Sequence, residues 1–134
     1  MTYLTAEQVL FIHARLITET GGAHGVRDLS MLLSAIGRPQ TSFDDQDLCL
    51  GLFSKAAALL DSLIRNRPFV DGNKRTGITA AALFMHMNGY WLTATNSELE
   101  KMTLEVARAQ QTVEKIAAWF QANTRQLETG LSDN

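Results

Sequence analysis

The chain has a single cysteine, two prolines and no excess of basic residues. Each shortage excludes something. One thiol, Cys49, cannot build an internal disulfide framework or a multi-cysteine metal site. A reduced, cytoplasmic setting is the simplest expectation. Cys49 lies in Leu48-Cys49-Leu50 and reads as a small core residue. The formal net charge is -2. No global basic field draws in nucleic acid, so any anion site must be local. No uncharged apolar run approaches the roughly 20 residues that span a bilayer. The start of the chain lacks the basic-then-apolar layout of a signal peptide. What remains is 134 residues without repeat or linker. That length fits one domain that needs no staples.

The apolar residues recur at helical spacing. Thr5 opens a helix whose stripe is Leu10, Ile12, His13, Leu16 and Ile17, and Gly21-Gly22 stops it. His24, beside glycines, reads as an exposed loop histidine. Asp28 caps a short helix that ends at Gly37-Arg38-Pro39. Residues 37–45 read as a loop, closed by Asp44-Asp45, either of which can cap the next helix. Residues 46–66 and 73–88 then form two central helices whose wide apolar surfaces imply contact on several sides. His86 is the polar exception on the second and reads as a hydrogen-bonded boundary residue. Tyr90-Trp91-Leu92-Thr93 makes a short extended link. Thr95 or Asn96, and then Thr112, cap two further helices. The pattern fades from 125, so residues 1–124 form the domain and 125–134 a disordered tail. The expectation is an all-α fold of about six helices around a buried central pair.

Between the central helices lies Arg65-Asn66-Arg67-Pro68-Phe69-Val70-Asp71-Gly72-Asn73-Lys74-Arg75. The first turn of a helix carries unpartnered N–H groups and partial positive charge. Lys74 and Arg75 placed there oppose the dipole by roughly 0.3–1 kcal/mol each. A bound phosphate reverses that sign, because N–H groups, ammonium and guanidinium all become favourable. Gly72 allows close approach. The spacing is not that of the Walker loop. Asp71 beside such a cradle suits Mg²⁺, which takes few protein oxygens and completes its shell with phosphate and water. Its plainer role is an N-cap of the same helix. A solvated basic turn is the plainer reading of Lys74 and Arg75.

Pro68 through Arg75 closely resembles the signature of the Fic superfamily, His-Pro-Phe-x-(Asp/Glu)-Gly-Asn-Gly-Arg. Lys74 in place of the last glycine is similar to the Doc (death-on-curing) branch. The resemblance covers about residues 3–122. It implies an all-α Fic fold with ATP at the signature loop. By matching position, Gly72, Asn73, Lys74 and Arg75 would face phosphates and Asp71 would hold Mg²⁺. It further implies a toxin that moves a phosphoryl group from ATP to a threonine of elongation factor Tu and arrests translation. Other Fic proteins transfer AMP to protein hydroxyls instead. A Phd-type antitoxin would neutralise the toxin through its C-terminal segment. DNA would be reached only through that antitoxin.

One departure from the signature matters more than the matches. Arg67 stands where the signature has histidine, the residue that accepts the hydroxyl proton as the hydroxyl attacks phosphorus. Arginine stays protonated at any working pH and cannot be a general base. The expectation is an impaired or silent enzyme, or a non-catalytic antitoxin-binding module. Both a natural loss of catalysis and an introduced inactivating substitution account for Arg67, and the otherwise intact signature points to the second. Fic proteins often carry an inhibitory helix, Ser/Thr-x-x-x-Glu-Gly/Asn. Thr124 to Thr129 approaches it but ends in threonine, which fits inhibition by a separate antitoxin.

Overall fold

A computed structural model describes residues 1–43, 46–47 and 51–127. The N-terminal helix α1, Ala6–Thr20, starts at a reciprocal cap. The Thr5 hydroxyl accepts from Gln8 N–H at 3.2 Å, and Thr5 N–H donates to the Gln8 amide oxygen at 2.8 Å. Asp28 caps α2, Leu29–Gly37, by accepting from Met31 N–H at 3.1 Å. Thr95 and Thr112 cap α5, Asn96–Ala107, and α6, Val113–Ala122, in the same way. Each satisfies a donor that the first helical turn leaves unpaired.

The central pair is α3, Gly51–Arg65, and α4, Asn73–Met87. Every residue of α3 from Lys55 to Ile64 is buried. Leu60 and Leu63 of α3 join Ala80, Phe84 and Met85 of α4 in one core, which Val9, Leu32, Val106, Ile116 and Phe120 close from the surrounding helices. The helix α4 is less enclosed than its composition suggests. Ile78, Thr79, Ala82 and Leu83 are only half-buried.

Two expectations need correction. The first central helix is described over Gly51–Arg65 and does not include 46–47. Gln46–Asp47 is instead a strand, β2, paired antiparallel with β1, Ser42–Phe43, after a 3₁₀ turn at Arg38–Gln40. Two-residue strands show no periodicity, and the apolar run after them extends the helical pattern. Asp44, Asp45, Leu48 and Cys49 lie outside the described residues. The second correction concerns the link at 90–93. Tyr90–Leu92 is strand β3 and pairs with β4, Thr124–Gln126, with Trp91 opposite Arg125. Ordered structure thus continues through Gln126, past 124, and the stretch 128–134 lies outside the described residues. Among the described residues no helix is long and apolar enough to cross a membrane.

Candidate active site

The break between α3 and α4 is held from below and from the side. Below it, Phe69 is 1% exposed. Its ring stacks on His13 of α1, with centroids 3.8 Å apart and planes 6° from parallel. The His13 Nε2–H donates to the Asp71 carbonyl at 2.8 Å. From the side, Arg27 forks onto two successive carbonyls, Nε to Arg67 O at 2.6 Å and Nη2 to Asn66 O at 2.7 Å. The backbone N–H groups of Arg27 and Asp28 both donate to Pro68 O, at 2.7 and 3.0 Å. Val70 N–H donates to Gly25 O at 3.0 Å. These bonds hold Arg67 at a φ of 49°, in the left-handed region that non-glycine residues seldom occupy.

The loop opens onto a cleft of about 400 Å³ lined by Arg65, Arg67, Asp71, Gly72, Asn73 and Lys74 among others. Gly72 begins α4 in a left-handed conformation, φ 79°, and no side chain caps the helix. Asp71 is therefore not the N-cap. A Cβ at Gly72 would meet Ile17 Cδ1 of α1 at 2.9 Å, and the left-handed φ itself favours glycine here. The first turn of α4 presents its unpartnered N–H groups next to Lys74 and Arg67.

Asp71 is fixed by two backbone donors. Ala23 N–H reaches Oδ2 at 3.1 Å and Gly72 N–H reaches Oδ1 at 2.8 Å. These bonds, with smaller contributions from Arg75 and His13, lower its pKa from the usual 3.8. Each carboxylate oxygen keeps a further lone pair. Among the described residues no cluster of three or more His, Cys, Asp or Glu could hold a metal ion. A cation here would rest on the single Asp71 carboxylate and on oxygens brought by the ligand, as Mg²⁺ does.

The neighbouring residues divide the work in ways the sequence does not show. The Asn73 amide is engaged on both sides of Phe69, accepting from its N–H and donating to its carbonyl, each at 3.0 Å. Its side chain shapes the loop. The Arg75 guanidinium donates to the Thr20 hydroxyl and, at 3.2 Å, to Gly21 O. It satisfies the C-terminal end of α1, where a cation is favoured. Arg75 also lines a second cleft, of about 500 Å³, against Ile78, Leu99 and Leu104 of α4 and α5, and Lys74 borders both clefts. His13, Arg27 and the Ala23–Asp71 bond were not legible as site features, because their partners lie 40–58 residues away. His13 is buried and bonded, His24 is exposed in its loop, and His86 packs edge-on to Trp91.

With this geometry in view, the comparisons with known proteins decide the family. Residues 3–85 match the model of the Fic/DOC family. The chain belongs to the Fic/DOC family. Within that family it is 41% identical over 112 residues to "Toxin Doc" of Mycolicibacterium smegmatis, covering 82% of this chain and 86% of the relative. It is 29% identical over 117 residues to "Protein kinase doc" of Escherichia phage P1, covering 87% and 91%. The all-α expectation for a Fic fold holds, with two small strand pairs added.

Two expected results test the scaffold of this family site. In Gly22→Ala, the new Cβ would lie 2.5 Å from Asp71 Oδ2 at a φ of 115°. The carboxylate must leave the Ala23 N–H, so the variant loses about 1–3 kcal/mol in urea unfolding, the range for a strained backbone position. The second concerns pH. Because the folded pKa of Asp71 is lowered, its contribution is present above 3.8 and is lost as pH falls through the lower folded value. The stability gap between the chain and Asp71→Asn is therefore flat near neutrality and closes only in that acid range.

Proposed function

We propose that this chain is a Doc-type toxin whose cleft binds ATP for phosphoryl transfer to a threonine of elongation factor Tu, and that Arg67 keeps it from turning over. The observation carrying the proposal is the convergence of the α4 N-terminus and Lys74 beside an ionised Asp71. A polyphosphate meets donors and positive charge there, with a carboxylate placed for its divalent cation. The two relatives, one named a toxin and one a protein kinase, support toxin action and phosphoryl rather than AMP transfer.

In the reaction a target hydroxyl oxygen forms a bond to the γ-phosphorus, and the bond from that phosphorus to the ADP oxygen breaks. Bound Mg²⁺ would neutralise the charge that develops on the phosphate oxygens. Lys74 and the α4 N–H groups hold the phosphates. The hydroxyl proton needs an acceptor, and the Arg67 guanidinium has none to offer. His13 cannot substitute, since its Nε2 is engaged on Asp71 O beneath the loop.

The test is label transfer by Arg67→His in the presence of elongation factor Tu. Label from the γ-position of ATP supports the kinase, and label from the α-position would make it an AMP transferase. No transfer from either would sink the enzymatic proposal. Arg67 itself favours a second reading, a binding module that acts only with a Phd-type antitoxin. In that case Arg67→His leaves growth unchanged whether or not the antitoxin is present.

A further inference from the structure

The cleft has a cation beyond those of the signature. Arg65 closes α3 and lines the same cleft as Lys74. Its Nε donates to Asp61 Oδ1 at 2.8 Å. The same carboxylate takes a second guanidinium on its other oxygen, from Arg38 Nη1 at 2.8 Å. The Asp61 side chain is only 11% exposed, whereas that of Arg65 is 46% exposed. An ordinary i,i+4 pair on a helix surface joins two mobile side chains and contributes little. Here the acid is buried and fixed from both sides, since Arg38 Nη1 also donates to the Ser62 hydroxyl at 2.8 Å. Arg65 is thus anchored at Nε alone. Among the described residues nothing engages its Nη1 and Nη2 groups, which leaves their N–H donors for solvent or a cleft ligand.

We propose that Arg65 is a further anion-binding residue of the cleft, with Asp61 as its positioning residue, and that the ligand it takes is the polyphosphate of the nucleotide. The inference rests on the reading of the cleft as a phosphate site. An arginine held at Nε loses less freedom on binding than a free one, and its remaining face suits two phosphate oxygens. The arrangement also links the cleft to the segment that leads into β1. Arg38 opens the 3₁₀ turn before that strand, and buried Lys55 donates to Pro39 O at 2.7 Å in the same turn.

Calorimetry on the full chain separates the possibilities, with inorganic tripolyphosphate, Mg-ATP and adenosine as probes. Arg65→Gln weakens tripolyphosphate and Mg-ATP by about tenfold, the low end for a charged hydrogen bond, and leaves adenosine unchanged. Arg65→Lys recovers part of that loss. Asp61→Asn weakens the same two ligands, and the double variant is no weaker than Arg65→Gln alone, because the acid acts through the arginine. If Arg65→Gln binds tripolyphosphate as the parent does while Lys74→Ala loses it, Arg65 is no ligand and the phosphate reading stands. If the parent binds none of the phosphates, both fall. A loss in Arg65→Gln that also appears with adenosine, tracks a lowered melting temperature and is not recovered by lysine would make the residue merely structural and overturn the proposal.

Discussion

Arg67→His raises label transfer from a barely detectable level by a factor on the order of 10²–10⁴, the contribution typical of a positioned general base. The backbone supports so large a gain from one side chain. The bonds that shape residues 66–68 come from Arg27 and Asp28 to main-chain carbonyls. None uses the Arg67 side chain, which is exposed at the cleft. Histidine is also among the residues enriched at left-handed φ, so a φ of 49° suits it at least as well as arginine. The expected pattern is a rise in kcat with little change in KM, because under the proposed reading Lys74 and the α4 N-terminus would still carry the phosphates. Equal transfer by parent and variant would show that the missing base is not what limits the chain.

Phe69→Ala has the largest expected effect on stability. The ring is 1% exposed and stacks on His13. Phenylalanine-to-alanine changes in a core cost about 3–5 kcal/mol, a large share of the roughly 5–15 kcal/mol that holds a domain together. The damage also reaches the site. Phe69 is the floor of the loop, and both its N–H and carbonyl are tied to Asn73. Urea unfolding measures the loss, and a cycle with His13→Ala isolates about 0.5–1.5 kcal/mol of coupling from the stacked pair. A loss under about 1 kcal/mol would mean that the loop does not depend on this anchor.

The helices and their caps were legible because both are local. Thr5, Asp28, Thr95 and Thr112 act on N–H groups three residues ahead. The break between the central helices was legible too, since polar residues interrupt two apolar patterns there. What stayed hidden was long-range. His13 looked like one more member of the α1 stripe, though its ring supports a loop 58 residues away. Asn73 carries a phosphate-facing expectation by position, yet its amide serves Phe69. Asp61 lies in an apolar run of the chain, and nothing local says that Arg38 and Arg65 meet on it. The pairing of 42–43 with 46–47 and that of Trp91 with Arg125 are too short for a period to show.

The central claim is that the phosphate-binding half of the site is complete while the proton acceptor is absent. Titration of Mg-ATP into the parent chain and into Arg67→His, with turnover followed in the same samples, tests it most directly. Both forms are expected to bind with affinities within a few-fold of each other, Lys74→Ala to weaken both, and only the histidine form to consume ATP when elongation factor Tu is present. Absence of binding to the parent, or turnover by the parent at the histidine form's rate, would contradict it.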